Sequence, residues 1–300
     1  MTNMPQLDLS DLLDSWLLAL RAERKSEKTV QTYADGVRAF LRWAADKNIE
    51  PALTRDCVNN FITDLLDAGA EGTTARARQL AVRRFSAWAA SEGEIDHDEL
   101  AHLKPPKIDT KVVPELDEDQ VRALIAACQG RSFVDRRDEA MVRFMLETLA
   151  RIGEVIAMTV DDVDLREGLA IVRRGKGGKG RRVPFGPQTG RALDRYLRMR
   201  RGHRLADSGR LWLGDRGATL GYPGARKALL ARARAAGIAD FHPHVLRHTG
   251  SGRWLGAGGS ETGLMAIAGW SNRSMIERYS KASSERRAAE EARRLGLGDL

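Results

Sequence analysis

Residues 169–185 read Leu-Ala-Ile-Val-Arg-Arg-Gly-Lys-Gly-Gly-Lys-Gly-Arg-Arg-Val-Pro-Phe, two short runs of β-type spacing around a tip of glycine and lysine. Residues 169–174 and 181–185 supply the arms and 175–180 the turn, so the stretch predicts a β-hairpin. On both sides of it apolar residues return at three- and four-residue spacing. Upstream, residues 116–120 lead into a helix through Cys128, and a longer helix from Arg136 to about Leu149 turns Met141, Phe144, Met145 and Leu149 inward. Downstream the chain reads as helices to the end, the last of them a charged Ala/Arg/Glu segment from residue 284.

Further out, Leu12, Leu13, Trp16, Leu17 and Leu20, then Val37, Phe40, Leu41 and Trp43, keep helical spacing within a stretch of four or five helices up to Ala90. Ser26 is a candidate N-cap for the second, and Thr54, Gly72 and Thr73 mark later breaks. Between the helical stretch and the hairpin-bearing one lies Leu-Lys-Pro-Pro-Lys-Ile-Asp-Thr-Lys-Val-Val, residues 103–113, whose two prolines oppose helix. The expected organisation is a domain over 1–104, a linker over 105–113, a second domain over 114–283 and a tail helix over 284–300.

The net charge is +8 and the pI about 9.8. Residues 1–105 hold 13 Lys+Arg against 17 Asp+Glu, and the remainder holds 36 against 24, so any grip on a polyanion concentrates in the C-terminal two thirds. Cys57 and Cys128 have no C-x-x-C partner, which excludes a disulfide framework and a thiolate zinc site. Neither a signal peptide at residues 1–10 nor an apolar run long enough to span a bilayer is present, and a cytoplasmic protein without membrane contact is expected.

Five separated clusters carry chemistry: Arg151 in ARIGE, Lys176 in RRGKGGKGRRVPF, His244 and Arg247 in HPHVLRHTG, Trp270 in AGWS and Tyr279 in IERYS. Guanidinium groups offer paired donors that match the non-bridging oxygens of a phosphoryl-transfer transition state and never lose their charge. His244 and Arg247, three residues apart on a helix, share one face. Taken singly each residue has a plainer explanation: a solvated arginine, a mobile hairpin, a packed tryptophan, an interfacial tyrosine. The glycine-lysine run lacks the G-x-x-x-x-G-K-[ST] arrangement of a phosphate loop, and His242, His244 and His248 lack H-E-x-x-H, so no metal site is expected.

Occurring together in this order, the five clusters resemble the catalytic pattern of the tyrosine recombinases, the phage integrase family. The resemblance spans the whole second domain, and the first is similar to the helical SAM-like core-binding domain that precedes it. It implies a mainly α protein: a DNA-clamping helical domain followed by an α+β catalytic domain with a small antiparallel sheet. It implies conservative cutting and rejoining of double-stranded DNA at a specific recombination site, through a 3′-phosphotyrosyl link and a Holliday junction, by a homotetramer on two sites. Accessory DNA-bending or partner recombinase proteins could take part.

Carried over residue by residue, Tyr279 is the nucleophile, Arg151 and Arg247 hold the phosphate, and His244 exchanges a proton near the tyrosine. Lys176 is the general acid for the leaving 5′-oxygen, with Lys179 its competitor, and Trp270 stands where many members have histidine. No metal, nucleotide or other cofactor is needed. Glu154, one turn beyond Arg151, would orient the arginines or cap its helix. Where the family commonly shows Thr-Gly-Leu-Arg, this chain has Thr148-Leu149-Ala150-Arg151, without the glycine.

Arg76, Arg78, Arg83 and Arg84 in the first domain form a basic stripe, and together with Lys179 and Arg181 they are candidate DNA contacts; a solvated face accounts for the stripe equally well. The apolar Leu295, Leu297 and Leu300 suit a tail docking on its own domain or on a neighbouring subunit. Two other functions remain open: a catalytically silent sequence-specific DNA-binding protein, and a relaxing enzyme like the type IB topoisomerases. A chain that begins directly with a core-binding domain suits a recombinase of simple sites.

Overall fold

The computed structural model describes residues 8–108, 114–173, 180–215, 217–272, 275–276 and 293–296. The chain divides into two compact units, Met1–Lys111 and Val112–Leu300. The expectations for Lys176, Lys179 and Tyr279, and most of that for the tail helix, lie outside the described residues.

Among the described residues the first unit is built from four helices: α1 (Leu9–Ala22), α2 (Glu27–Asp46), α3 (Arg55–Asp67) and α4 (Gly72–Ser91). Each begins where a side chain or a break in the pattern lets it. Ser26 Oγ accepts from the amide of Thr29 at 3.2 Å at the head of α2, and Thr54 Oγ1 accepts from that of Cys57 at the head of α3. The apolar stripes meet in an aromatic centre, where Trp16 stacks on Tyr33 with centroids 5.7 Å apart and leans on Phe85 at 5.3 Å. Helices α2 and α4 approach so closely that a Cβ on Gly36 would fall 2.2 Å from that of Ala81.

Among its described residues the second unit is helical with one small three-stranded sheet. Helix α5 (Glu118–Ala126) ends two residues short of Cys128, and α6 (Phe133–Thr148) starts three residues before the expected Arg136, because Ser132 caps it through the amide of Asp135. Helix α6 is the central element, burying Ala140, Met141, Val142, Phe144 and Met145. The short α7 (Ile152–Ala157) leads to the sheet, then come α8 (Pro187–Arg200), α9 (Tyr222–Ala235), α10 (Pro243–Gly256) and α11 (Glu261–Ala268). The expected hairpin arms are β2 (Leu169–Val172) and β3 (Arg181–Pro184), paired antiparallel with Val172 opposite Arg181 and Ala170 opposite Val183. A strand absent from the sequence reading, β1 (Val163–Asp164), adds antiparallel to β2.

Helix α10 crosses α6 at Gly250, where a Cβ would meet the Leu146 carbonyl oxygen at 2.1 Å. That crossing brings the segment holding His244 and Arg247 to the C-terminal end of α6. No helix among the described residues is long and apolar enough to cross a membrane.

Candidate active site

The site begins where α6 stops. Leu149 takes the left-handed conformation, φ 57° and ψ 17°, the geometry that ends many helices and usually falls to glycine. In the Thr148-Leu149-Ala150-Arg151 run it is leucine that takes this conformation. Leucine adopts it while its side chain is buried among Leu255, Leu264, Ala268, Trp270 and Ile276, and that burial offsets a backbone cost of about 1–2 kcal/mol.

Two residues on, Arg151 stands at the head of α7, half-buried. Glu154 reaches back to it twice: the Arg151 amide donates to Oε2 at 2.9 Å and Nη1 donates to Oε1 at 3.0 Å. One carboxylate therefore caps the helix and orients the guanidinium. Burial alone would raise the pKa of Glu154, but hydrogen bonds from Arg181 and the Arg151 amide, with both positive charges, outweigh it and hold the carboxyl below its ordinary range.

Helix α10 delivers the second pair of side chains. Pro243 opens it, His244 follows, and Arg247 lies one turn further. Arg247 is 1% exposed. Its Nη1 donates to the Leu149 carbonyl, its Nη2 donates to the Ala268 carbonyl at 2.6 Å, and its guanidinium carbon sits 5.1 Å from the ring centre of Trp270. Partial desolvation, then the charges of Arg247 and Arg151, and then His242, lower the pKa of His244. A neutral imidazole beside two guanidinium groups is a proton acceptor at neutral pH.

Trp270 is placed by the end of α11. Gly269 there has φ 65°, and the amides of Gly269 and Trp270 turn back to the carbonyls of Ala266 and Met265. The structure thus gathers Arg151, Glu154, His244, Arg247 and Trp270 from three separate segments of the second unit.

Two of the candidate DNA contacts, Arg181 and Arg83, have partners within the protein. Arg181 points inward: Nε donates to the Ile267 carbonyl at 2.7 Å, and Nη1 and Nη2 donate to Glu154 Oε1 and Oε2 at 3.2 and 2.8 Å. Strand alternation is the cause, since Arg181 shares the inner face with buried Val183 while Arg182 is exposed. Arg83 folds onto its own unit, donating to the carbonyls of Leu100 and Ala101 at 3.1 and 2.9 Å. Arg76 and Arg84 are exposed on α4 and Arg78 is half-buried. No cluster of three or more His, Cys, Asp or Glu side chains in metal-binding proximity occurs among the described residues.

Residues 114–286 match the phage integrase family and residues 13–93 its N-terminal SAM-like domain, and the chain belongs to that family. It is 33% identical over 277 residues to the tyrosine recombinase XerC of Mycobacterium bovis, covering 90% of this chain and 92% of the relative. It is 30% identical over 289 residues to the tyrosine recombinase XerD of Bifidobacterium longum, covering 91% and 93%.

Among solved structures, the XerA recombinase shares 25% identity at a TM-score of 0.52, over 93% of this chain and 99% of that one. The Tn1549 transposon integrase in complex with transposon right end DNA has the same fold, with a TM-score of 0.72 at 17% identity over 95% and 99%. So does a lambda integrase tetramer bound to a Holliday junction, at 0.69 and 16% over 89% and 78%.

Proposed function

We propose that this chain is a cytoplasmic site-specific recombinase that cuts and rejoins double-stranded DNA through a 3′-phosphotyrosyl intermediate at Tyr279. The observation that carries the reading is that Arg247 is anchored on the carbonyl of Leu149 at the end of α6, Arg151 two residues on is held by Glu154, and His244 feels the charge of both. The two guanidinium groups stabilise the charge that develops on the non-bridging oxygens of the scissile phosphate. A tyrosine with an ordinary pKa of about 10 is almost wholly protonated at neutral pH, so the neutral His244 accepts its proton as attack begins. Trp270 braces Arg247 and carries an indole N–H donor.

In this reading Lys176 delivers the proton to the departing 5′-oxygen, and Lys179 is the alternative donor. The phosphotyrosyl bond conserves the energy of the broken one, so the reaction needs no nucleotide or metal. Strand exchange between two sites requires four such active sites and passes through a Holliday junction, which makes a homotetramer on DNA the working assembly. Accessory DNA-bending proteins or a second recombinase fit the same scheme, and the tail over 284–300 is the segment available to join subunits.

The test is incubation of the purified chain with nicked suicide duplexes built from DNA flanking its gene, in parallel with Tyr279→Phe. A covalent protein–DNA adduct on a denaturing gel that vanishes in the variant supports the reading. Tight binding without an adduct on any bound site would leave a silent DNA-binding protein as the better account. Relaxation of supercoiled plasmid without exchange between sites would point instead to a topoisomerase-like enzyme.

A further inference from the structure

The last turn of a helix leaves carbonyls without intrahelical partners. In α11 the carbonyls of Met265 and Ala266 are met by the amides of Trp270 and Gly269. The next two, Ile267 and Ala268, are met by two arginines from elsewhere in the fold: Arg181 on β3 and Arg247 on α10. Positive charge at this end also suits the helix dipole. The same guanidinium of Arg181 forks onto both oxygens of Glu154, which in turn hold the amide and Nη1 of Arg151. A single side chain, only 11% exposed, therefore touches the carboxylate that orients Arg151 and the helix end that places Trp270.

We propose that Arg181 is a positioning residue of the recombination reaction: through Glu154 it fixes the guanidinium of Arg151, and through the Ile267 carbonyl it fixes the Gly269–Trp270 turn beside Arg247. The proposal rests on the recombinase reading of the site. Arginine is suited to this task because its planar fork serves a carboxylate with two donors while Nε serves a carbonyl. Lysine carries its three donors on one nitrogen at the end of a flexible stem and lacks the fixed planar fork that matches these three acceptors.

The experiment measures single-turnover adduct formation on a suicide duplex by the native full chain, Arg181→Lys, Arg181→Met, Glu154→Gln and the double variant Arg181→Met/Glu154→Gln. Each protein's DNA affinity and melting temperature are recorded alongside. Both Arg181 variants bind DNA with native affinity and cleave it roughly 100-fold more slowly, the scale on which small misplacements act. The double variant is no slower than the worse of its two single parents, because both substitutions break one chain of contacts.

A substrate with a methylphosphonate at the scissile position separates positioning from a purely structural role, since that centre carries no negative charge for Arg151 to hold. On it the deficit of the Arg181 variants shrinks relative to the native chain. Native cleavage rates in the Arg181 variants, additive losses in the double variant, or an equal deficit on both substrates would each overturn the proposal. If Arg181→Met does not fold, Arg181→Lys, which keeps the buried charge, decides the matter by the same two rates. No adduct from the native chain would overturn the recombinase reading and this proposal together, whereas native adduct with unaffected variants overturns this proposal alone.

Discussion

Arg247 donates through Nη1 to the carbonyl of Leu149, and Leu149 is held at φ 57° to present it. The left-handed conformation and the placement of the Arg247 guanidinium are thus one feature. Truncating Leu149 empties a buried site, for which Leu→Ala costs about 2–5 kcal/mol. At ordinary helix positions glycine is the worse replacement, by about 0.5–1 kcal/mol relative to alanine. Here the order reverses, because glycine relieves the positive φ. Denaturant unfolding of the two variants checks this: Leu149→Gly at least as stable as Leu149→Ala is the expected result, and a clearly less stable glycine variant would mean that no strain is stored at the turn.

His244 supplies a pH dependence with a definite sign. Its folded pKa lies below the ordinary histidine value of about 6.5, so between the two the unfolded chain binds more protons than the folded one. Stability therefore rises with pH across that window and is lost as pH falls from about 6.5 toward the folded value. His244→Gln removes this component, and thermal unfolding of the variant at pH 5.5 and 7.5 shows a smaller difference than that of the native chain. An unchanged difference would mean that His244 titrates normally.

Gly250 is the contact point of α10 on α6. Any side chain there must displace the Leu146 carbonyl, which an added Cβ would approach to 2.1 Å. Overpacking of this kind costs about 1–3 kcal/mol. Since α10 carries His244 and Arg247, Gly250→Ala also lowers the rate of adduct formation at a temperature where the variant is fully folded. A variant that melts early but cleaves at the native rate would show that the helix shifts without moving its first two turns.

The arginines of α4 separate by their partners. Arg76 and Arg84 are exposed, and if α4 meets the DNA backbone each alanine variant weakens binding to all sequences and reduces the slope of log K against log salt by about 1. Arg83 is committed to the carbonyls of Leu100 and Ala101. Arg83→Ala accordingly lowers the melting temperature of the first unit and leaves the salt slope unchanged. Slopes equal to that of the native chain in all three variants would remove α4 from the DNA-facing surface.

The helical first unit was legible because its signals are local: apolar spacing, Ser26 and Thr54 at helix heads, and glycine at the start of α4. The hairpin arms were legible from their spacing around a glycine tip. Strand β1 was not, because two residues carry no period, and α7, with six, is too short to show one. The left-handed turn at Leu149 was invisible because no local preference selects leucine there; the packing of its side chain does. Arg83 finds its partners 17 and 18 residues ahead in an irregular segment, which no periodicity reports. The inward contacts of Arg181 are the instructive case. Two-residue alternation from Val183 already placed it on the inner face, and only the expectation that arginine faces outward hid it.

The close approach of Gly36 to Ala81 sets a rule for how this domain can drift over generations. With a methyl group on one side and nothing on the other, the crossing of α2 and α4 has room for a single β-carbon. Descendants that gain a side chain at position 36 must surrender the one at position 81 or let the helices part. In an aligned set of such sequences the two columns are therefore expected to trade volume as a pair, both positions being buried inside the helical unit.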